Sequence, residues 1–131
     1  MNQKNTPDST TIQPWLSVQN AVAATNFYIT AFDALETYRM ETPDGLVVKL
    51  SINGAEFWVS GGITESSNTE SLGGETVRMI LVTDDPEMLF KKALQAGASE
   101  IFPIDEAYGW KLGRLADPFG LHWEIGHPVS E

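Results

Sequence analysis

Two side chains that can bind a metal or move a proton lie two positions apart in the stretch LHWEI, residues 121–125. Because side chains alternate across a β-strand, His122 and Glu124 share one face of this predicted strand, and Trp123 lies on the other. An imidazole beside a carboxylate can serve as a pair of metal ligands or in acid–base catalysis. Glu124 is therefore a candidate catalytic residue and His122 a candidate ligand-binding residue. The alternative for His122 is an ordinary, partly exposed strand histidine.

The same alternation gathers polar and aromatic side chains on the faces opposite the apolar ones. In AEFWVS, Glu56 and Trp58 lie opposite Phe57 and Val59. Glu56 is the second candidate catalytic carboxylate, unless it is simply solvated, and Trp58 offers a stacking surface unless it only packs. The full set of candidates is Gln13, Trp15, Glu56, Trp58, Arg78, His122 and Glu124.

Two predicted helices of similar length lie beside the strands that carry these faces. Asn20 is a predicted N-cap for AVAATNFYITAF, and Asp85-Pro86 provides the cap and first residue of a second helix ending near a glycine. A predicted strand precedes each helix and three follow it, so the order strand, helix, strand, strand, strand occurs twice. Neither copy alone covers both faces of its sheet, which predicts one domain built from two modules.

Turn signals divide these modules into strands. TPDG, Asn53-Gly54 and DPFG are predicted turns, and the last is expected to serve stability rather than chemistry. VRMILVT, residues 77–83, is apolar on both faces, which predicts a central strand. The predicted organisation is a flexible tail at 1–10 and a single domain at 11–131, with module one at 11–60, a linker or lid at 61–75 and module two at 76–127.

Composition excludes several classes of partner. The 131 residues carry 18 acidic and 8 basic side chains, a net charge of −10, and no dense Lys/Arg cluster. Nucleic acid and anionic membrane surfaces are therefore not expected as partners. The absence of cysteine excludes thiolate ligands. Together with a polar N-terminus that lacks the apolar core of a signal peptide, it favours the cytoplasm.

Three segments resemble a known family: PWLSVQNAVAATNFYITAFDA, DDPEMLFKKALQAGA and YGWKLGRLADPFGLHWEI. They are similar to sequences of the vicinal oxygen chelate superfamily, which includes glyoxalase I, bleomycin-resistance proteins and extradiol dioxygenases. Within it, they most resemble the sequences of the PhnB-like branch. The resemblance spans nearly everything between residues 12 and 127. It implies an α+β fold in which two βαβββ modules form a curved, mostly antiparallel mixed sheet, with the helices on the convex face and a concave cleft.

The resemblance also implies four metal-ligand positions on the concave face. They fall on Gln13, on Glu56 or its same-face neighbour Trp58, on Arg78 or the preceding valine, and on Glu124. An arginine at the third position places a positive charge where a cation would bind. We therefore expect no cofactor and a Glu56–Arg78–Glu124 ion-pair network. The alternative is a divalent metal held by Gln13, Glu56 and Glu124.

Two functions follow from this cleft. The first is a small-molecule-binding protein of the resistance or sequestration type, taking a flat or cationic organic ligand between walls from Trp15, Trp58 and Trp110. Family resemblance implies a homodimer, with the modules pairing within one chain or across two. The alternative is a metal-dependent lyase, isomerase or dioxygenase of the glyoxalase-like class, or a metal-free enzyme in which Arg78 stabilises an oxyanion.

Overall fold

The computed structural model of the chain describes residues 10–63, 74 and 77–129. Its elements, in chain order, are β1 (Trp15–Asn20), α1 (Ala21–Phe32), β2 (Leu35–Thr42), β3 (Gly45–Ile52), β4 (Ala55–Gly62), β5 (Met79–Val82), α2 (Pro86–Gln95), β6 (Ser99–Ala107), β7 (Trp110–Ala116) and β8 (His122–Pro128). The order strand, helix, strand, strand, strand therefore occurs twice, which confirms the two βαβββ modules.

Each module forms its own four-stranded mixed sheet. The strand orders are β1-β4-β3-β2 in the first and β5-β8-β7-β6 in the second. The first strand of each module runs parallel to the last, and the other pairs are antiparallel. The same topology in both sheets confirms the internal repeat.

The predicted central position of the strand around residue 80 is wrong. Among the described residues, β5 lies at the edge of its sheet and pairs with β8 alone. Leu81 is buried, but Ile80 and Val82 on the opposite face are 55% and 56% exposed. An edge strand whose outer face is apolar has the same residue pattern as a central strand, and only the strand order distinguishes the two.

Local capping explains where the helices begin. The Asn20 side chain accepts a hydrogen bond from the Ala23 amide at 3.0 Å, and Asp85 does the same for Met88 at 3.2 Å. α1 ends at Asp33, whose φ of 58° stops the helix in the left-handed region. Both predicted N-caps are confirmed because capping depends on residues at most three positions away.

The core joins the two modules through α1. Tyr28 is fully buried and contacts Phe57 of module one and Trp123 of module two, with ring centroids 5.4 and 5.5 Å away. Phe32 lies 4.9 Å from the same Trp123 ring. α1 also packs against α2, so the modules share one hydrophobic core.

The DPFG turn contains a buried carboxylate that links the modules. Asp117 is 5% exposed and accepts hydrogen bonds from the Tyr28 hydroxyl at 2.5 Å and the Trp123 indole at 2.9 Å. The amides of Phe119 and Leu121 also donate to it, at 2.9 and 3.0 Å. Burial, and then the neighbouring Asp117, raise the pKa of Tyr28 well above its ordinary value. The phenol thus stays protonated and acts as a donor.

The predicted bounds of the tail, linker and modules can be compared with the structure only where residues are described. The tail lies outside them apart from residue 10, and so does most of the 61–75 segment, so the linker or lid prediction is not addressed. β4 continues to Gly62, past the predicted end of module one. Neither helix in the described ranges is long and apolar enough to cross a membrane.

We predict that Asp117→Ala lowers the free energy of unfolding by about 3 kcal/mol, because it leaves buried donors without an acceptor. Tyr28→Phe should cost about 1 kcal/mol, since three donors to Asp117 remain. Urea unfolding followed by far-UV circular dichroism measures both. The control is Asp44→Ala in the exposed β2–β3 turn, expected within about 0.5 kcal/mol of wild type. An Asp117→Ala protein as stable as this control would contradict the linking role.

Candidate functional site

A polar cluster lies on the face of sheet one opposite the core. The Gln13 side chain donates to Glu56 Oε1 at 3.1 Å and accepts from the Trp58 indole at 2.8 Å. Lys49 Nζ lies 3.3 Å from the same Glu56 oxygen. We call Gln13, Lys49, Glu56 and Trp58 the module-one polar cluster. Within it, the charge of Glu56 is compensated by Lys49.

Aromatic rings form a row beside this cluster. Trp15 and Trp58 stack with centroids 5.8 Å apart and an interplanar angle of 23°, and Tyr38 meets Trp58 edge-on at 5.7 Å. Strand register produces the row, because Trp15 pairs with Trp58, Trp58 with Lys49, and Lys49 with Tyr38 across four strands. The Lys49 ammonium lies 5.4 Å from the Trp58 ring centroid. Trp15 and Tyr38 are 54% and 48% exposed, so the aromatic row (Trp15, Trp58, Tyr38) is open to solvent.

A second charged group lies on the corresponding face of sheet two. Glu124 Oε2 is 3.0 Å from Arg78 Nε and 3.3 Å from Arg114 Nη2. β7 and β8 place Arg114 directly opposite Glu124, and the Arg114 guanidinium lies 5.4 Å from the ring centroid of Phe102. We call Arg78, Arg114 and Glu124 the arginine cluster. One carboxylate is thus shared by two guanidinium groups.

His122 lies at the start of β8, on the predicted face but not open to solvent. Its exposure is 7%, and Gly74 packs against it. A Cβ at Gly74 would lie 2.9 Å from His122 Nδ1 and 3.1 Å from Arg114 Nη1, so only glycine fits there without a shift. The Gly74 carbonyl also accepts from Arg78 Nη1 at 2.7 Å. The Gly74 backbone, held in place by Arg78, thus covers the His122 side chain.

The Glu56–Arg78–Glu124 network is present only in its second half. Arg78 pairs with Glu124, but in the described residues Glu56 pairs with Lys49 instead. The two carboxylates belong to different sheets, and each finds its cation on a neighbouring strand of its own sheet. Lys49 and Arg114 were missed, although each alternates with buried apolar residues in its strand and the same parity argument would have found them.

A cavity of about 330 Å³ lies between the modules. Its walls include Gln13, Ile52, Glu56, Phe57, Ile80 and Leu81. Both modules therefore border it, and Gln13 and Glu56 of the module-one polar cluster lie on its wall. We call it the junction cavity.

Comparisons with known proteins show a relative and a shared fold. No family model matches the sequence. An uncharacterized protein of Mycobacterium bovis is 38% identical over 128 residues, covering 92% of this chain and 84% of that protein. A glyoxylase/bleomycin resistance protein/dioxygenase domain from Frankia aligns with a TM-score of 0.75 at 14% identity, over 92% of this chain and 98% of its own. A PhnB protein from Bacillus cereus aligns with a TM-score of 0.67 at 18% identity, over 90% and 99%.

The chain belongs to the same family as this mycobacterial protein, and it shares the fold of glyoxylase/bleomycin resistance protein/dioxygenase domains. The structural likenesses show a shared fold, and the two-module topology described above is the one that the resemblance implied. Ligand, reaction and metal content differ between members of such a fold and depend on the residues of the site.

The residues at the four ligand positions that the resemblance implied do not fit a divalent cation. Gln13 and Glu56 are hydrogen bonded to each other, and an ammonium group lies against Glu56. Arg78, one of the two residues expected at the third position, has its guanidinium against Glu124. Within the described ranges, no three His, Cys, Asp or Glu side chains form a group that could hold a metal ion. A cation entering here would displace these ion pairs and meet the repulsion of fixed positive charges.

We predict that the protein retains far less than stoichiometric metal after dialysis against Ni²⁺, Zn²⁺, Mn²⁺ and Fe²⁺, since both candidate carboxylate ligands are already paired with cations. Mass spectrometry of the dialysed protein measures this. Glu124→Ala, which removes one candidate ligand, serves as the comparison. One equivalent bound to wild type and lost in Glu124→Ala would establish a metal centre and contradict the prediction.

Proposed function

We propose that this chain is a small-molecule-binding protein of the glyoxalase/bleomycin-resistance type that works without the superfamily's metal centre. In this proposal it is a cytoplasmic homodimer of the PhnB-like branch. Its ligand lies on the polar, aromatic faces of the two sheets. The observation that carries the proposal is the solvent-exposed aromatic row beside the module-one polar cluster.

The core does not account for this row. Trp123, the core tryptophan, is 3% exposed, whereas more than half of Trp15 is exposed on a face that also carries charged residues. Exposed aromatic side chains next to fixed polar groups are typical of ligand sites, because the rings supply contact area and the polar groups fix orientation. Here Gln13 and Glu56 would orient a flat ligand lying on the Trp15 and Trp58 rings.

Binding alone, without a chemical step, fits the arrangement of the carboxylates best. A general base must reach the proton that it removes. Glu56 is held by Gln13 and Lys49, and Glu124 by two guanidinium groups. In the proposed function both carboxylates position their cationic neighbours. Catalytic roles for Glu56 and Glu124 stay predictions.

Dimerisation would cover the exposed apolar edges of both sheets. β1 and β5 are edge strands of the two sheets in the described part of the chain, and Ile80 and Val82 on β5 are more than half exposed. An open edge with apolar side chains favours pairing with another chain. In the proposed dimer, β1 of one protomer lies beside β5 of its partner, so that each cleft combines module one of one protomer with module two of the other.

We predict that Trp15→Ala weakens by about tenfold the binding of a flat aromatic ligand identified by a thermal-shift screen, because a stacking surface is lost. Isothermal titration calorimetry measures the affinity, and size-exclusion chromatography checks that the variant keeps its oligomeric state. Ile29→Ala, which removes a 39% exposed side chain from α1, is the matched control. Unchanged affinity in Trp15→Ala would remove the aromatic row from the binding site.

We predict a solution mass of twice the 14.4 kDa chain mass by light scattering. Ile80→Lys should shift this mass to that of one chain, because it places a charge in the proposed interface. Val22→Lys, at a 40% exposed position on α1, should leave the dimer intact. A monomeric wild type, or two variants that behave alike, would argue against a β1–β5 interface.

A further inference from the structure

The junction cavity extends from the outer face of sheet one toward the core. Gln13 and Glu56 on its wall belong to that outer face, whereas Phe57, Leu81 and Trp123, which also border it, are buried core residues. Its volume of about 330 Å³ lies at the lower end of the range, roughly 300–1,000 Å³, of small-molecule pockets. An aromatic group that enters it exchanges water for apolar contacts with both modules.

Glu56 determines which polar group this cavity can bind. Among the described residues on the cavity wall, Glu56 alone carries a charge, and its side chain is 35% exposed. Its Oε1 accepts from Gln13 and lies 3.3 Å from the Lys49 ammonium. Its Oε2 has no hydrogen-bond partner in the described ranges and is not a buried atom. One oxygen of the carboxylate is therefore open to a donor from a ligand.

Lys49 favours a neutral donor over a charged one. It does not line the cavity, but its ammonium already compensates the charge of Glu56. A cationic ligand would be repelled by this ammonium and would lose hydration against apolar walls, and an anionic ligand would be repelled by Glu56 itself. A neutral N–H group avoids both costs. Its hydrogen bond to an ionised oxygen is stronger than one between two neutral groups.

We propose that the junction cavity binds a flat, uncharged heteroaromatic group whose N–H donates to Glu56 Oε2 and whose rings contact Phe57 and Leu81. The inference rests on the proposed function and names its ligand class. Of the flat or cationic ligands expected from the sequence, the flat and neutral kind fits. The module-one polar cluster connects the cavity to the aromatic row, because the Gln13 amide binds both Glu56 and the Trp58 indole. A longer ligand can lie on the row and place its N–H group in the cavity.

Three bicyclic probes of nearly equal size test the proposal: indole, benzofuran and isoindoline. Indole donates one N–H, benzofuran has a ring oxygen in its place, and isoindoline carries an ammonium charge near neutral pH. Titration of the full chain followed by ¹H–¹⁵N NMR gives the affinities and shows whether the amides of Gly54 and Ala55 at the cavity shift.

We expect indole to bind about tenfold more tightly than benzofuran, as one hydrogen bond to a charged acceptor provides. Isoindoline should bind more weakly than indole, because its charge is repelled by the Lys49 ammonium and loses hydration in the cavity. The amides at the cavity should shift in the titration with indole.

Glu56→Gln tests the hydrogen bond because it keeps the shape of the side chain. N–H groups of Gln13 and Lys49 both face Oε1, so they hold the new amide oxygen there, and the amide nitrogen takes the place of Oε2. A donor then faces the indole N–H, and the preference for indole should fall to within about twofold. Glu36→Gln is the matched control, since Glu36 also pairs with a cation, is 29% exposed and does not line the cavity. It should keep the preference.

A second pair of variants locates the site. Ala55 is an exposed residue on the cavity wall, so Ala55→Phe should fill part of the cavity and weaken indole binding severalfold. Ala107→Phe, at an exposed position at the end of β6, should leave the affinity unchanged. Circular dichroism confirms that each variant is folded.

The outcomes separate this inference from the function on which it rests. Equal affinities for indole and benzofuran, tighter binding of isoindoline, or a Glu56→Gln protein that keeps the preference would each overturn it. So would an Ala55→Phe protein that binds as wild type does, or the absence of indole binding. A ligand from the thermal-shift screen whose binding depends on Trp15 would still support the proposed function in those cases. If no ligand depends on Trp15 either, both fail.

Discussion

The buried carboxylate of Asp117 is the interaction on which the arrangement of the two modules depends. It belongs to a turn in module two, yet its shortest hydrogen bond comes from the hydroxyl of Tyr28 on the module-one helix. The same carboxylate holds the indole of Trp123 and two amides of its own turn. A buried charge is stable only when its hydrogen-bond partners are all in place. The relative position of the two sheets therefore depends on the hydrogen bonds of this one carboxylate within an aromatic core.

This anchor has consequences for the outer faces. Trp123 and Ile125 point into the core from β8, so Glu124 between them must point outward. The outward carboxylate then pairs with Arg114 on the adjacent strand and with Arg78 just before β5. The same alternation occurs in sheet one, where Phe57 and Val59 point into the core and Trp58 between them points outward. The packing that builds the core thus also determines which side chains are available for a ligand.

Charge compensation sets these faces apart from a metal-binding site. Carboxylates and an amide remain at the expected ligand positions, but an amine or guanidinium lies within 3.3 Å of each carboxylate. In the proposed function, the ligand is recognised through shape, stacking and the polar groups that these ion pairs hold in place.

Local features of the fold could be read from the sequence. Asn20 and Asp85 cap their helices, and the alternation around Trp58 and Glu124 shows which side chains face outward, because capping and alternation involve residues only a few positions apart. The tertiary structure alone decided that Glu56 pairs with Lys49 rather than Arg78, and that β5 lies at an edge. These depend on which strands become neighbours, and strand order joins residues far apart in the chain through contacts that no local pattern encodes.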